Sequence, residues 1–519
     1  MNKIGLRVLC VLGTCAAVIA AASVARADSP VVKTKQGSVR GKLINNGQVA
    51  AFLGIPYAAP PVGDLRWRPP QAPARWRGTR NGTRFGAHCY QTHQFEDMVF
   101  QDSGPSEDCL FLNVYAPANA TAKSKLPVMF WIHGGGYQGG SASEPRHDGD
   151  FLPTRGVVLV TINYRLGVFG FLATPALARE GNGAAGNYGL MDQVAALQWV
   201  NSNIAAFGGD PQNVTIFGES AGSYSVSLLM ASQSARGLFA KGIGESGGEL
   251  DIGGPQHPGF GQVEQQDEAW VKSLGMNLTH LRELPPDIII AAAQRSDAPR
   301  FRPTVDGSFL TEPVAVTYAA GQQAHVPLLA GWNRDEMSGL AKGMTAAKWK
   351  QYAQQHFGDK AQEFLKYYPA DNDAQAIRSA IDFNSDSFIA FGTWRWVQAQ
   401  VKTGQSPVYR YHFMLPAPPS KFHPGSSAFH SDDIEYVFGT LDTRPGAVWR
   451  PEDRQLSSQI MTYWTNFARS GNPNGAGVPQ WPRFDQTDQV LNLGNPTVVV
   501  PDTTKPRYEF LMRLWNIEP

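Results

Sequence analysis

The stretch Val214-Thr-Ile-Phe217-Gly218-Glu219-Ser220-Ala221-Gly222 decides the fold. Its first four residues are β-branched or aromatic and read as a strand, and Ser223 to Met230 can start a helix. A serine held on the sharp turn between them needs a strained backbone, and side chains two residues to either side would collide with it. Gly218 and Gly222 remove those side chains, so G-x-S-x-G in this setting marks a nucleophile rather than an ordinary turn. The turn lifts the Ser220 hydroxyl above the sheet, and the helix amides behind it favour developing negative charge.

The same alternation extends outward. Val128-Met-Phe-Trp-Ile132, Val157-Val-Leu-Val-Thr161 and Val326-Pro-Leu-Leu-Ala330 read as strands buried on both faces. Leu190, Val194, Leu197, Val200 and Ile204 fall at three- and four-residue steps, so 190–206 is expected to be an amphipathic helix between two of those strands. Strands alternating with helices give an α/β fold with a mostly parallel sheet. Trp131-Ile-His133-Gly134-Gly135-Gly136-Tyr137 follows the first run, and its triple glycine lets amides approach a substrate carbonyl. The amides of Gly135 and Gly136, with that of Ala221, are the expected oxyanion hole, where one donor is worth about 3 kcal/mol in the transition state. Tyr137, next along, is the best single candidate for touching substrate.

Composition bounds the function. With 42% hydrophobic and 17% charged residues the 519-residue chain buries a large core, and neither disorder nor low complexity fits. Its formal charge of +1 comes without a basic stripe, which sets nucleic acid aside as a partner. Residues 1–27 read as a cleavable signal peptide: Lys3 and Arg7, an apolar run from Val8 to Ala22, then Ala25-Arg26-Ala27 before Asp28. Cleavage after Ala27 makes the protein secreted or periplasmic. It removes three basic residues, turning 45 against 44 into 42 against 44, a mature charge of −2. No later 18-residue apolar run follows, so stable membrane insertion is not expected. Cys10 and Cys15 leave with the leader, and in an exported protein the remaining Cys89 and Cys109 are most simply a disulfide, with two buried thiols as the alternative. No linker divides 28–519, which reads as a single catalytic domain with insertions.

Further stretches carry a resemblance. Phe52-Leu-Gly-Ile-Pro-Tyr-Ala58, Glu107-Asp-Cys-Leu-Phe-Leu-Asn-Val114, Asn163-Tyr-Arg165, Gly186-Asn-Tyr-Gly-Leu-Met-Asp-Gln193 and Phe207-Gly-Gly-Asp-Pro211 are similar to signatures of the type-B carboxylesterases, the carboxylesterase and cholinesterase family. The resemblance spans nearly the whole mature chain. It implies the α/β-hydrolase fold with large loop and helical insertions, hydrolysis of small carboxylic esters, and pairing of Cys89 with Cys109.

In this fold the acid and then the histidine follow the serine along the chain. Gly331-Trp-Asn333-Arg-Asp335-Glu336 offers two carboxylates after a core strand, and the residues alone do not separate them. Similarity to the family's Asn-x-Asp-Glu-Gly picks Glu336 as the triad acid, with Met337 standing where the family has glycine. Of His356, His412, His423 and His430, only His430 is well framed: His430-Ser-Asp-Asp433-Ile-Glu-Tyr-Val-Phe-Gly439 resembles His-x-x-Glu-Ile-x-x-Val-Phe-Gly, with Asp433 for that Glu. His430 would then serve Ser220 as general base and acid while Glu336 orients it. No HExxH and no Cys/His cluster is present, so no cofactor or metal is called for. Trp131, Trp332, Phe383, Phe388, Trp394 and Trp396, like Tyr137, could line a gorge, but most are expected to be core, and Ser246 is expected to be structural or to support the catalytic residues from behind. The same triad would also serve amides, carbamates, lipids or a specialised bulky ester; a silent binding protein would lack the nucleophile.

Overall fold

Apolar runs with no polar alternation must be covered on both faces, and the computed structural model builds them into one large sheet between helical layers. It describes residues 29–517 apart from 93, 94, 251–257 and 426, so the expected leader lies outside the described residues. The sheet strands are β1 (Lys42–Ile44), β2 (Val49–Pro56), β3 (Phe111–Pro117), β4 (Leu126–Ile132), β5 (Val158–Ile162), β6 (Gly209–Glu219), β7 (Lys241–Glu245), β8 (Leu328–Asn333), β9 (Val408–Phe413), β10 (Gln489–Leu493) and β11 (Val498–Pro501). Their spatial order is β1-β2-β3-β5-β4-β6-β7-β8-β9-β10-β11. Strands β5, β4 and β6 to β10 run parallel, and antiparallel pairs flank them at both edges. Along β4, Val128, Phe130 and Ile132 join the core on one face while Met129 and Trp131 join the other. Each such burial contributes about 1.5–3 kcal/mol.

Two expectations need adjustment. Strand β8 begins at Leu328 rather than Val326, because Pro327 has no amide to give the ladder. The helix expected over 190–206 is α1 (Tyr188–Asn203) followed by a tighter turn, and it is not amphipathic: Asp192, Gln193 and Asn203 are buried beside its apolar residues. Its polar side faces other protein, and Asp192 there accepts both prongs of Arg165 at 2.7 Å. The Cys89–Cys109 bond is formed, closing the loop that precedes β3. No helix among the described residues is long and apolar enough to cross a membrane.

Register positions what matters. Gly218 of β6 lies opposite Ile132 of β4, and Glu219 lies opposite Glu245 of β7, which lies opposite Gly331 of β8. The carboxyl ends of β4, β6, β7 and β8 therefore stop side by side, with β5 on the other flank of β4. That reversal of strand order is where open α/β sheets gather ligands.

Candidate active site

Ser220 stands between β6 and α2 (Ala221–Ala231) with φ 54° and ψ −121°, a conformation that costs about 1–3 kcal/mol for a side-chain-bearing residue. The sheet holds it there: its amide donates to the Glu245 carbonyl at 2.9 Å, and its carbonyl accepts from the Tyr224 amide at 2.9 Å. Both flanking glycines are required by contact. A β-carbon on Gly218 would sit 2.5 Å from the Ile132 carbonyl oxygen, and one on Gly222 would sit 1.9 Å from it.

Three loops converge on this serine. His430 Nε2 is 2.9 Å from Ser220 Oγ, and His430 Nδ1 is 2.7 Å from Glu336 Oε2. With the carboxylate accepting from Nδ1–H, Nε2 is left to accept the serine proton. The other oxygen of Glu336 accepts from the Ser246 hydroxyl and from the Asn333 amide, both at 2.6 Å, so the acid is fixed on both sides. Asp335, its neighbour, faces Arg334 and Arg378 at 2.6 Å each and takes no part in that line. It fastens the histidine loop instead: its amide donates to the Ala428 carbonyl at 2.8 Å, and it bridges to Phe429. Met337 is outside the left-handed region, which is why a residue other than glycine fits there.

More carboxylates surround the histidine than the motifs suggest. Glu219 Oε1 lies 3.3 Å from His430 Nε2 and accepts from the Ser431 hydroxyl at 2.7 Å. Burial alone would lower the imidazole, but Glu219, Glu336 and Asp433 outweigh it and raise His430 to about 9. Asp433 accepts from Asn333 Nδ2 at 3.1 Å and from the Tyr411 hydroxyl at 3.2 Å, and burial beside Glu219 and Glu336 pushes it up to about 7. Glu245 accepts from Trp464 Nε1 at 2.7 Å, while its second oxygen is unpartnered among the described residues. Burial and the nearby Asp433 and Glu219 hold that carboxyl well above the usual range, favouring its neutral form.

The glycine loop is shaped by a residue to which the motif assigned no task. His133 is buried, stacks on Tyr164 and places Nδ1 2.9 Å from the Gly134 carbonyl; burial lowers it to about 4, so it is neutral. Gly135 and Gly136 adopt φ of 103° and 63°, and their amides make no backbone hydrogen bond among the described residues. The Ala221 amide opens α2 and has no intrahelical partner. Donors and hydroxyl thus suit an acyl carbonyl. Tyr137 is only 5% exposed, edge-on against Phe171 with its hydroxyl 3.4 Å from Ser225 Oγ, a packing position. Trp131, Trp332, Phe383, Trp394 and Trp396 are buried in the cores. Phe388 differs: it is exposed and meets the His430 ring edge-on at 5.0 Å. His423 sits in a loop beside Phe429, and no group of metal-ligating side chains occurs among the described residues.

Known proteins share this architecture. Residues 28–511 match the model of the carboxylesterase family. The chain is 36% identical over 500 residues to a fumonisin B1 esterase of Sphingopyxis macrogoltabida, covering 91% of this chain and 88% of that protein. It is also 36% identical to a para-nitrobenzyl esterase of Bacillus subtilis, covering 91% and 96%. The crystal structure of a Geobacillus stearothermophilus carboxylesterase superposes with a TM-score of 0.79 at 32% identity, covering 92% and 99%. Matched in sequence and in structure over nearly its whole length, the chain belongs to the carboxylesterase family and is a carboxylic ester hydrolase.

Proposed function

We propose that the protein is an exported serine hydrolase that cleaves small carboxylic esters through an acyl-enzyme on Ser220. His430 Nε2 takes the hydroxyl proton as Ser220 Oγ attacks the carbonyl carbon, and the amides of Gly135, Gly136 and Ala221 receive the oxyanion. His430 then gives that proton to the departing alcohol. A water deprotonated by the same nitrogen attacks the acyl carbon, releasing the acid and restoring Ser220. Glu336 keeps the ring in the required tautomer and offsets its charge at each transfer. Residues 28–519 form the catalytic domain, freed from the leader 1–27 by cleavage after Ala27.

The observation that carries this reading is the unbroken line from Ser220 Oγ through His430 to Glu336, at 2.9 and 2.7 Å, beside free loop amides. The test is hydrolysis of p-nitrophenyl esters of increasing acyl length by purified mature protein and by Ser220→Ala. Turnover in the wild type and a loss on the order of 10⁴-fold or more in the variant are expected. A folded Ser220→Ala that keeps its turnover would overturn the assignment. Amino-terminal sequencing of the exported protein should begin at Asp28.

A further inference from the structure

The open side of the glycine loop faces an arginine. A β-carbon built on Gly136 would meet one atom within 4 Å, Nη2 of Arg300 at 3.6 Å. The neighbouring glycines are closed off: on Gly134 it would strike Glu219 and Ser220, and on Gly135 the Gly139 carbonyl at 2.2 Å. Adding a C–C bond of about 1.5 Å places the guanidinium within about 5 Å of the Gly136 α-carbon. A cation therefore lies beside Gly136, one of the expected oxyanion donors.

The placement is built rather than incidental. Phe301, next in sequence, is 3% exposed and edge-on against Trp270, and its carbonyl accepts from Gln138 Nε2 at 2.5 Å. Gln138 belongs to the same loop as Gly136, so the segment carrying Arg300 is tied to the oxyanion loop itself. Other arginines around the site are neutralised: Arg146 by Glu144, Arg334 and Arg378 by Asp335, Arg444 by Glu435 and Asp432. Arg295 takes Asp297, the carboxylate nearest Arg300 in sequence. Arg300 is exposed and makes no hydrogen bond or ion pair among the described residues. Around the serine and its histidine lie Glu219, which borders Gly134, and Glu336 and Asp433, carboxylates that would repel an anionic substrate lacking a compensating cation.

We propose that Arg300 is a specificity-determining residue that binds a carboxylate borne by the substrate. The preferred substrates are then half-esters of dicarboxylic acids, or other esters with a free carboxylate about two to four carbons from the scissile carbonyl. The planar guanidinium accepts such a group through paired N–H donors, and the carboxylate passes through hydrolysis unchanged. This rests on the Ser220 reading and names the substrate class of that site.

The test compares monoethyl glutarate with ethyl 4-carbamoylbutanoate, its neutral amide isostere, by ethanol release from the purified full-length mature enzyme. The wild type should favour the half-ester by about 10- to 100-fold in kcat/KM, chiefly through KM because the contact is remote from the breaking bond. Arg300→Gln should erase that preference while leaving the amide ester within about twofold, Arg300→Lys should keep part of it, and added salt should weaken it. Arg295→Gln is the control and should change neither ratio. Equal kcat/KM for the two esters in the wild type, or a preference that survives Arg300→Gln, would overturn the proposal. Turnover of p-nitrophenyl butyrate that Ser220→Ala abolishes keeps the two failures distinct: with it, only the role of Arg300 falls; without it, the hydrolase reading falls first.

Discussion

Replacing Glu219 by Gln keeps the size of the side chain and an acceptor for Ser431, but removes a charge 3.3 Å from His430 Nε2. At an effective dielectric of about 20 that charge is worth about 5 kcal/mol, and at about 60 it is worth about 1.7 kcal/mol. The His430 side chain is 22% exposed and the Ser431 hydroxyl already spreads part of the charge, so the lower end applies, about 2 kcal/mol or 1.5 pH units. Only neutral His430 can take the serine proton, so the acid limb of kcat/KM in the free enzyme should follow its titration near 9. Without Glu219 the imidazolium is less stable and the limb should move down toward about 7.5. The same charge also stabilises the imidazolium formed in the transition state, so the plateau should fall about 30-fold. The two effects nearly cancel at pH 7 and leave the full loss at pH 10. The assay is kcat/KM for p-nitrophenyl acetate from pH 5 to 10.5, with spontaneous hydrolysis subtracted. A limb that stays within about 0.3 units of the wild type, or a loss equal at all pH values, would refute the reasoning.

Gly222→Ala should cost at least about 10³-fold in activity and lower the Tm, since its β-carbon would lie 1.9 Å from a backbone oxygen that cannot retreat; Gly261→Ala, with nothing within 4 Å, is the control for both readings. Asp267 is buried and accepts only from the Ala173 amide at 2.7 Å among the described residues, and burial outweighs that bond to push it up to about 8. An acid raised from about 4 unfolded to about 8 folded binds more protons in the native state, so its contribution to stability is lost as pH climbs through that window. Asp267→Asn should therefore raise the Tm increasingly between pH 4 and 8, and calorimetry showing the same shift at pH 5 and pH 8 would refute it.

What was legible in the sequence was whatever a backbone constraint forces. Gly218 and Gly222 had to be glycine because the Ile132 carbonyl packs against them, and the buried strands had to be continuous runs because both faces are covered. Strand ends were less so: the pattern of Val326 to Ala330 says where apolar residues lie, not that Pro327 delays the ladder. The polar surroundings of His430 were hidden for another reason. Glu219 precedes the nucleophile in sequence yet acts on a histidine 211 residues later, and that contact exists only because β6 and the histidine loop end at one level. Arg300 lies in a loop with no motif, and only the glycine it faces gives it meaning.

Asp335 and Glu336 show where residue type stops being informative. Both are buried carboxylates after the same strand, and composition or charge gives no ground to choose. The choice is made by direction: Asp335 bridges Phe429 in extended backbone, where consecutive side chains must point to opposite sides. One carboxylate then meets Arg334 and Arg378, which hold it below the usual carboxylate range despite its burial, and the other meets His430. The pairing is economical, because the bridge that turns Glu336 toward the imidazole also binds the loop on which the imidazole rides. A shift of one residue would exchange the two partners, leaving His430 without an orienting acid and two arginines without their shared counter-ion.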